Sequence, residues 1–313
     1  MQISLMLVGQ IAAMGIMVLM GFALAKKGLM TGEESRIITK ALVHVIIPCS
    51  LIDAFGTPFD PGKLEAMAVV SALAIAVYAV FLAGGKLLSR GERGFTPGEV
   101  CCVIYSNSGN LIIPIVTGVL GTEYVIYTCS FMLVQNLLTW THAQMKLGGE
   151  SDLTVKKVLT NPSIMAILGG VVLFVLPVRL PGPLDSAIGA MGSCIGPLFM
   201  LVTGVLLAEA DLKGALTSRR THLVMAVRLV VYPLLVLALL VGAAMVWDHP
   251  QEKNVLMVLL LCSSGPPAAI IAQLAQMYGS PESRYISALT ALSTVISAVT
   301  MPVMCVLYQI VMA

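Results

Sequence analysis

This sequence has few charged residues. Asp, Glu, Lys and Arg together make up 11% of its 313 residues, whereas they form about a quarter of an ordinary soluble domain. Hydrophobic residues make up 58% of the chain, and its mean hydropathy is +0.95. This composition excludes a soluble globular protein and predicts an integral membrane protein. The net charge of +2 gives no indication of a nucleic-acid partner, and we expect none.

The sequence also lacks the spacings that metal sites and common hydrolases require. It contains no CxxC, HExxH or GxSxG pattern, and no two of its histidines have metal-ligand spacing. We therefore expect no enzyme activity, no metal and no cofactor. The cysteines lie in or beside apolar runs, which is typical of small buried hydrophobic residues. They are Cys49, Cys101, Cys102, Cys129, Cys194, Cys262 and Cys305.

Long apolar runs are what the sequence has in abundance. A helix needs about 20 mostly apolar residues to cross a membrane, so ten such runs predict an all-α membrane protein with ten transmembrane helices. No Lys or Arg precedes the first run, and it is longer than the roughly 7–15 apolar residues of a signal peptide, so we interpret it as a retained span. The runs are Ile3–Ala25, Ile37–Phe55, Ala66–Leu88, Val100–Leu120, Tyr124–Leu147, Ile164–Leu180, Ala187–Ala208, Leu223–Trp247, Val255–Tyr278 and Ile286–Ala313.

Lys and Arg are distributed unevenly between the two sides on which the loops alternate. Three lie on one side, fourteen lie on the other, and Arg228 lies inside a run. Cytoplasmic loops are enriched in Lys and Arg, so the fourteen predict the cytoplasmic side of a plasma (inner) membrane, with both termini extracytoplasmic. The three are Lys63, Arg179 and Lys253; the fourteen are Lys26, Lys27, Arg36, Lys40, Lys86, Arg90, Arg93, Lys146, Lys156, Lys157, Lys213, Arg219, Arg220 and Arg284.

The two halves of the chain are weakly similar to each other. At an offset of roughly 156 to 158 residues, Ser108-Gly109 aligns with Ser264-Gly265, and Gly121 aligns with Gly279. Each half has five runs, an odd number, so the second half enters the membrane from the opposite face. This is the inverted-repeat plan of secondary carriers. It predicts a first repeat over 1–147, a cytoplasmic linker over 148–158 and a second repeat over 159–313; chance similarity between apolar helices is the alternative.

Two polar, proline-containing segments lie in the middle of apolar runs at equivalent positions of the halves. They are Asn107–Pro114 in the fourth run and Ser263–Pro267 in the ninth. A proline has no amide hydrogen and clashes with the carbonyl four residues before it. Unpaired backbone groups must face protein or water inside a bilayer, so both helices are predicted to be broken there. The carbonyls expected to be freed are that of Asn110, by Pro114, and those of Cys262 and Ser263, by Pro266 and Pro267.

The two broken helices are expected to cross at these segments. Two half-helices would then direct their amino-terminal ends, each with a partial positive charge, toward one point near the midplane. Such an arrangement binds anions without a formal charge. The alternative is that the prolines only kink the helices and that the Ser and Asn side chains bond between helices.

Several motifs resemble the auxin efflux carrier family, in particular its bacterial branch, which includes malonate carriers. They are "NSGNLIIP" followed by "LG", "NP" at the start of the sixth run, "PPAAIIAQLAQMYGS" in the ninth and "LSTVISAVTMP" in the tenth. The resemblance extends from Gly21 to Pro302. The short loop between the halves is also similar to that of bacterial members.

The resemblance implies a scaffold of spans 1, 2, 6 and 7, usually dimeric, and a mobile transport domain of spans 3–5 and 8–10. It further implies that the crossing of spans 4 and 9 holds the carboxylate of a small organic acid in an elevator-type cycle. Asn107, Asn110 and Asn136 match asparagines or polar positions of the family. The chain departs from it at Ile113, where glycine is frequent, and in the doubling of Pro266 and Pro267.

Other polar residues inside the runs have two interpretations each. Arg228 either neutralises a substrate carboxylate or snorkels to the interface. Gln135 and Asn136 either contact substrate or bond between helices, and His44 and His142 either couple protons or are structural. The candidate substrate-binding residues are Asn107, Ser108, Gly109, Asn110, Pro114, Gln135, Asn136, Arg228, Ser263, Ser264, Pro266 and Pro267.

The sequence favours a secondary transporter of a small organic anion, malonate-like or another carboxylate. No Asp or Glu lies at the middle of a run, which disfavours a cation/proton antiporter. The expected partners are the anion, a co-transported proton or sodium ion, the lipid bilayer and a second copy of the chain. The alternatives are a sodium-coupled symporter of larger amphipathic anions, of the bile-acid type, and a receptor or membrane-embedded enzyme.

Overall fold

The computed structural model of the chain describes residues 2–92, 94–148, 160–176, 180–209, 212–247 and 252–312. Over these ranges the regular structure is helical: they contain no β-strand, and one pair of residues forms an isolated bridge. Six helices are long and apolar enough to cross a membrane. An all-helical, multi-pass protein is therefore confirmed. The predicted linker 148–158 lies outside the described residues apart from Gly148, as do Arg93 and Arg179.

Most predicted runs correspond to one helix, whereas the fourth and the ninth each correspond to two. Within the described ranges, four helices also contain a π turn, at Leu42–Ile46, Ser108–Ile112, Thr139–Ala143 and Val227–Val231. The helices are α1 Gln2–Lys26, α2 Gly32–Asp53, α3 Pro61–Leu88, α4 Pro97–Ile104, α5 Ser108–Val119, α6 Val125–Leu138 with its continuation to Lys146, α7 Pro162–Val175, α8 Gly182–Glu209, α9 Leu212–Thr217, α10 Arg219–Ala244, α11 Glu252–Ser264, α12 Ala269–Met277 and α13 Ser283–Val311.

Several helices begin a few residues before the apolar run that predicted them, because their capping residues are polar. Thr31 and Thr96 each form a capping box with the Glu three residues later. Asn161 accepts hydrogen bonds from the first amides of α7, and Asp60 caps α3. The polar caps therefore fix where these helices begin.

Helices α1 and α8 pack with their backbones in close contact. A Cβ atom placed on Gly21 would clash with the carbonyl of Leu201, and one placed on Gly204 would clash with the carbonyl of Val18. Small residues at such positions let transmembrane helices approach each other and gain van der Waals contact, which is the main attraction between helices in lipid. Helix α2 packs against α7 and α8 in the same layer.

The two broken spans lie at the centre of the protein. All residues from Gly98 to Ile104 in α4 and from Val255 to Ser264 in α11 are buried. By contrast, α1 exposes large apolar side chains such as Leu19 and Met20. A helix that is apolar and enclosed on all sides can carry an interrupted backbone, because its free polar groups face protein rather than lipid.

A buried carboxylate joins the starts of three helices at the predicted cytoplasmic end. Glu99, in the first turn of α4, accepts hydrogen bonds from Nε of Arg220 in α10 at 2.8 and 3.0 Å. The hydroxyl of Tyr285 in α13 donates to the same carboxylate at 3.0 Å, and the amide of Thr96 donates at 2.8 Å. Sequence reasoning placed Arg220 among the loop cations and did not identify Glu99, which gives the cluster its charge.

We expect Glu99→Gln to lower the unfolding temperature of the purified protein, because it removes the charge that three helix starts share and leaves Arg220 without its carboxylate. Hydrogen bonds to charged groups contribute about 1.5–3 kcal/mol each, and the partial exposure of Arg220 places the effect toward the lower value. Glu33→Gln, an exposed carboxylate in the first turn of α2, is the matched control. Equal unfolding temperatures for the two variants in a thermal melt would contradict this prediction.

Candidate functional site

The fourth predicted span is interrupted before its polar segment. Helix α4 ends at Ile104, and the backbone of Tyr105 is extended, with φ −97° and ψ 122°. Helix α5 begins at Ser108, after Asn107 with φ −84° and ψ 56°. The chain therefore leaves helical geometry for a few residues in the middle of the fold.

The ninth predicted span has a matching interruption. Helix α11 ends at Ser264, and α12 begins at Ala269. The residue before α12, Ala268, is extended, with φ −64° and ψ 131°. The intervening residues include Pro266 and Pro267, neither of which has an amide hydrogen to contribute to a helix.

The two interruptions pair with each other through their backbones. The amide of Asn107 donates to the carbonyl of Pro266 at 2.9 Å, and the amide of Ala268 donates to the carbonyl of Tyr105 at 2.9 Å. Ser106 and Pro267 form the antiparallel bridge between these bonds. Each segment thus provides hydrogen-bond partners for two backbone groups of the other segment that have no partner within a helix. The broken helices cross here, and we call residues 105–108 and 264–268 the crossing.

The prediction that Pro114 breaks the fourth span was wrong in its position. The interruption lies several residues earlier, and Pro114 follows a π turn, Ser108–Ile112, at the start of an α-helical segment. Pro48 and Pro233 likewise follow π turns in α2 and α10. A π turn bonds residues five apart and so widens the helix, which relieves the clash between a proline ring and the preceding turn. These prolines are accommodated within their helices rather than breaking them.

Pro114 instead lies at the contact between α5 and two other helices. Its carbonyl accepts a hydrogen bond from Nε2 of Gln10 in α1 at 3.3 Å. A Cβ atom on Gly196 of α8 would lie 3.1 Å from the Pro114 ring. Pro114 therefore positions α5 against α1 and α8 and does not line the crossing.

Gln135 of α6 is the centre of a hydrogen-bond network that supports the crossing. Its Oε1 atom accepts from the Tyr78 hydroxyl at 2.7 Å, from Ser106 Oγ at 2.9 Å and from Ser108 Oγ at 2.5 Å. Its Nε2 atom donates to the carbonyl of Ser106 at 2.8 Å. Of the two interpretations of Gln135, the structure shows bonding between segments. Gly109 allows α5 to approach α6, because a Cβ atom there would lie 3.0 Å from the methyl of Met132.

Four candidate side chains near the crossing each have a buried atom with no hydrogen-bond partner among the described residues. A buried polar atom without a partner costs about 1–3 kcal/mol, so each such atom is available to a ligand. Asn107 and Ser264 are 4% and 2% exposed. The hydroxyl of Ser263, by contrast, donates within its own helix to Leu259 at 2.7 Å. The four atoms are Nδ2 of Asn107, Oδ1 of Asn110, Nδ2 of Asn136 and Oγ of Ser264.

Arg228 neither snorkels nor lies at the surface. It is 0% exposed and donates to three backbone carbonyls: Nε to Gly265 at 2.8 Å, Nη1 to Val103 at 3.0 Å and Nη2 to Ser263 at 2.9 Å. The carbonyl of Ser263 is one that the prolines were predicted to free. The snorkelling interpretation is therefore wrong, and the guanidinium is bonded to the ends of α4 and α11.

The structure separates the two histidines that were candidates for coupling. His142 Nδ1 lies 2.9 Å from the hydroxyl of Tyr105, whose carbonyl takes part in the crossing. His44 is exposed, and its Nδ1 lies 2.9 Å from the carbonyl of Lys40 in its own helix. Only His142 of the two is thus in contact with a crossing residue. In the part of the chain that is described, no three His, Cys, Asp or Glu side chains are grouped as metal ligands.

Tyr78 and Tyr105 contact the candidate site, although the sequence did not single them out. Tyr78 of α3 donates to Gln135, and its ring lies 6.0 Å from that of Tyr105 between centroids. A tyrosine within an apolar run needs a partner for its hydroxyl, so each was a detectable signal. The sequence did not indicate which partner each would find.

A helical, multi-pass fold with a paired, enclosed crossing of two broken helices is typical of a membrane transporter. The family described as "Membrane transport protein" matches residues 6–152 and 150–305 of the chain. The chain therefore belongs to this family, which is the auxin efflux carrier family. It is also similar to an "Uncharacterized transporter" of Methanothermobacter thermautotrophicus, with 23% identity over 296 residues that cover 92% of this chain and 93% of the relative.

We expect Gln135→Leu to destabilise the protein far more than Asn136→Leu does, although the residues are adjacent. The first change leaves the hydroxyls of Tyr78, Ser106 and Ser108 without their shared acceptor, whereas the second removes an amide nitrogen that has no partner. Thermal melts of the two variants measure the difference. If Asn136→Leu lowers the unfolding temperature as much as Gln135→Leu, the network is not what holds the crossing.

Proposed function

We propose that this protein is a secondary transporter of a small organic anion, malonate-like or another carboxylate, and that the crossing holds the carboxylate. The observation that supports this most directly is the set of unpartnered buried atoms, among them Nδ2 of Asn107 and Oγ of Ser264. Both can donate a hydrogen bond, as a carboxylate requires.

The direction of the half-helices also favours an anion. Helices α5 and α12 both begin at the crossing, at Ser108 and Ala269. The amino-terminal end of a helix has free amide groups and carries about half a positive charge. Two such ends, together with the side-chain donors, attract a negative group.

We also propose an architecture of inverted repeats with a scaffold and a transport domain. We infer ten spans in a five-plus-five inverted repeat, because the interruptions of α4/α5 and α11/α12 occupy matching positions in the two halves. A scaffold of α1, α2, α7 and α8 is supported by the glycine contacts of α1 with α8 and by the packing of α2 on α7 and α8. A second copy would then dock on the scaffold, and the cytoplasmic side and an inner-membrane location follow from the Lys and Arg distribution.

A cavity lies between helices that we assign to the transport domain and helices that we assign to the scaffold. It has a volume of about 410 Å³ and is lined by residues of α1, α5, α8 and α13, among them Gly15, Ile115, Met200 and Ser297. Open space beside these helices would give α5 and α13 room to move relative to α1 and α8. This is the geometry that elevator-type alternating access would use.

Energetics limits the direction of uncoupled transport. With the cytoplasm negative, expelling one uncompensated negative charge gains about 2.3 kcal/mol per 100 mV. Uptake would require a coupled proton or sodium ion. Through its contact with Tyr105, His142 is the coupling candidate that we propose for a proton.

The apolar cavity supports a second candidate function, a sodium-coupled symporter of larger amphipathic anions of the bile-acid type. The two functions are distinguished by a thermal-shift screen of the purified protein with malonate, malate, succinate, indole-3-acetate and taurocholate, with and without sodium. A ligand that binds the folded state raises its unfolding temperature. A shift with a small carboxylate that is independent of sodium supports the first function, and a shift with taurocholate only in sodium supports the second.

We expect Asn107→Ala and Asn110→Ala to abolish malonate uptake into proteoliposomes without a large loss of stability, because each removes a side-chain amide that can donate to a carboxylate and that has an unpartnered atom in the free protein. Asn254→Ala is the control. Asn254 lies in α11 away from the crossing, and its side-chain amide donates to the hydroxyl of Tyr124 at 2.9 Å. Transport at the control's rate in both crossing variants would overturn the assignment of the site.

A further inference from the structure

Arg228 is a fully buried cation whose hydrogen-bond partners are backbone carbonyls. The carbonyl of Val103 belongs to the end of α4, that of Ser263 to the end of α11, and that of Gly265 to the segment between α11 and α12. The planar fork of one guanidinium therefore bridges both broken spans just before they cross. The guanidinium also lies 5.7 Å from the centre of the Phe81 ring, which stacks on Tyr232.

The charge of Arg228 matches the charge of the helix ends that it contacts. The carboxyl end of a helix carries about half a negative charge. The ends of α4 and α11 together present about one negative charge to the single positive charge of the guanidinium. A cation that would be costly to bury alone is thus balanced by backbone dipoles.

This pairing leaves the two sides of the crossing electrically different. The carbonyl ends of α4 and α11 are neutralised by Arg228, while the amide ends of α5 and α12 remain positive. Without the guanidinium, the two negative ends would lie beside the two positive ones, and their opposing fields would largely cancel. An anion would then gain little by entering the crossing.

We propose that Arg228 is a positioning residue for the anion site: it neutralises the carbonyl ends of both half-helices and holds the two interrupted segments in register, without contacting the anion. This inference rests on the proposed function, because it concerns the same site. It replaces the direct contact with substrate that the sequence suggested for Arg228.

Lysine cannot take over both parts of this role. Its ammonium is a compact charge, whereas the guanidinium presents donors in a fixed plane that reaches three separated carbonyls. Arg228→Lys keeps the charge and loses the fork, and Arg228→Met loses both. Comparing the two variants therefore separates the effect of the positive charge from the effect of the hydrogen-bond geometry.

The experiment measures two quantities in the full-length protein: amide hydrogen exchange of peptides covering residues 103–112 and 260–271, and the dissociation constant for malonate. We expect faster exchange in both segments for both variants. We expect malonate to bind at least about tenfold more weakly to Arg228→Met, equivalent to about 1.4 kcal/mol, and Arg228→Lys to retain more of the affinity. A purely structural role would weaken malonate binding equally in the two variants. Arg220→Lys and Arg220→Met, at the cytoplasmic Glu99 cluster, should leave the malonate constant unchanged.

Three results would overturn the inference. One is a malonate constant for Arg228→Met within about twofold of the unsubstituted protein, the second is unchanged exchange in either segment, and the third is equal weakening of malonate binding in Arg228→Lys and Arg228→Met. If Arg228→Met does not fold, Arg228→Lys decides the question, because unchanged exchange and affinity in that variant also contradict it. If the unsubstituted protein does not bind malonate, the proposed function fails for that anion, and the exchange rates alone decide whether Arg228 positions the crossing.

Discussion

The architecture depends on one constraint: a backbone amide or carbonyl inside a membrane needs a partner, because lipid offers none. Two helices of this protein are interrupted in the middle of the fold, and each interruption is tolerated because the other supplies its hydrogen bonds. The pairing of Asn107 with Pro266 and of Ala268 with Tyr105 is the contact around which the buried helices are arranged. The enclosure of α4 and α11 follows from it, since exposure of either would place free backbone groups in lipid.

Side chains from two other helices, α6 and α10, then stabilise an arrangement that two backbone contacts alone would leave weak. Gln135 accepts hydrogen bonds from the hydroxyls of Ser106 and Ser108. Arg228 donates to the carbonyls of Val103 and Ser263, which precede the two interruptions. The polar groups at the centre are therefore of two kinds. The first kind bonds to other protein groups, while the second, a few amide and hydroxyl atoms, has no partner among the described residues. This contrast distinguishes the groups that build the crossing from those we assign to the substrate.

The membrane class, most helix positions and the two runs that contain interruptions could be predicted from the sequence, because long apolar runs, polar caps and clustered Asn, Ser, Gly and Pro are local signals. The role of Pro114 could not be predicted, because whether a proline breaks a helix or is accommodated in it depends on the turn before it. The bonds of Gln135, Glu99 and Arg228 were also out of reach. Each joins residues far apart in sequence, and one chain without its fold does not show which distant groups meet.

The crossing also has a consequence for biogenesis. Tyr105 and Asn107 emerge from the ribosome long before Pro266 and Ala268, which are their partners in the finished protein. The first half must therefore enter the bilayer with an incomplete span and keep it shielded until the second half arrives. Contacts of such high sequence separation form late, so the last helices to be synthesised complete the first. A truncated chain that stops before α11 would carry an interruption that nothing closes, and cellular quality control would encounter it as an unfinished protein.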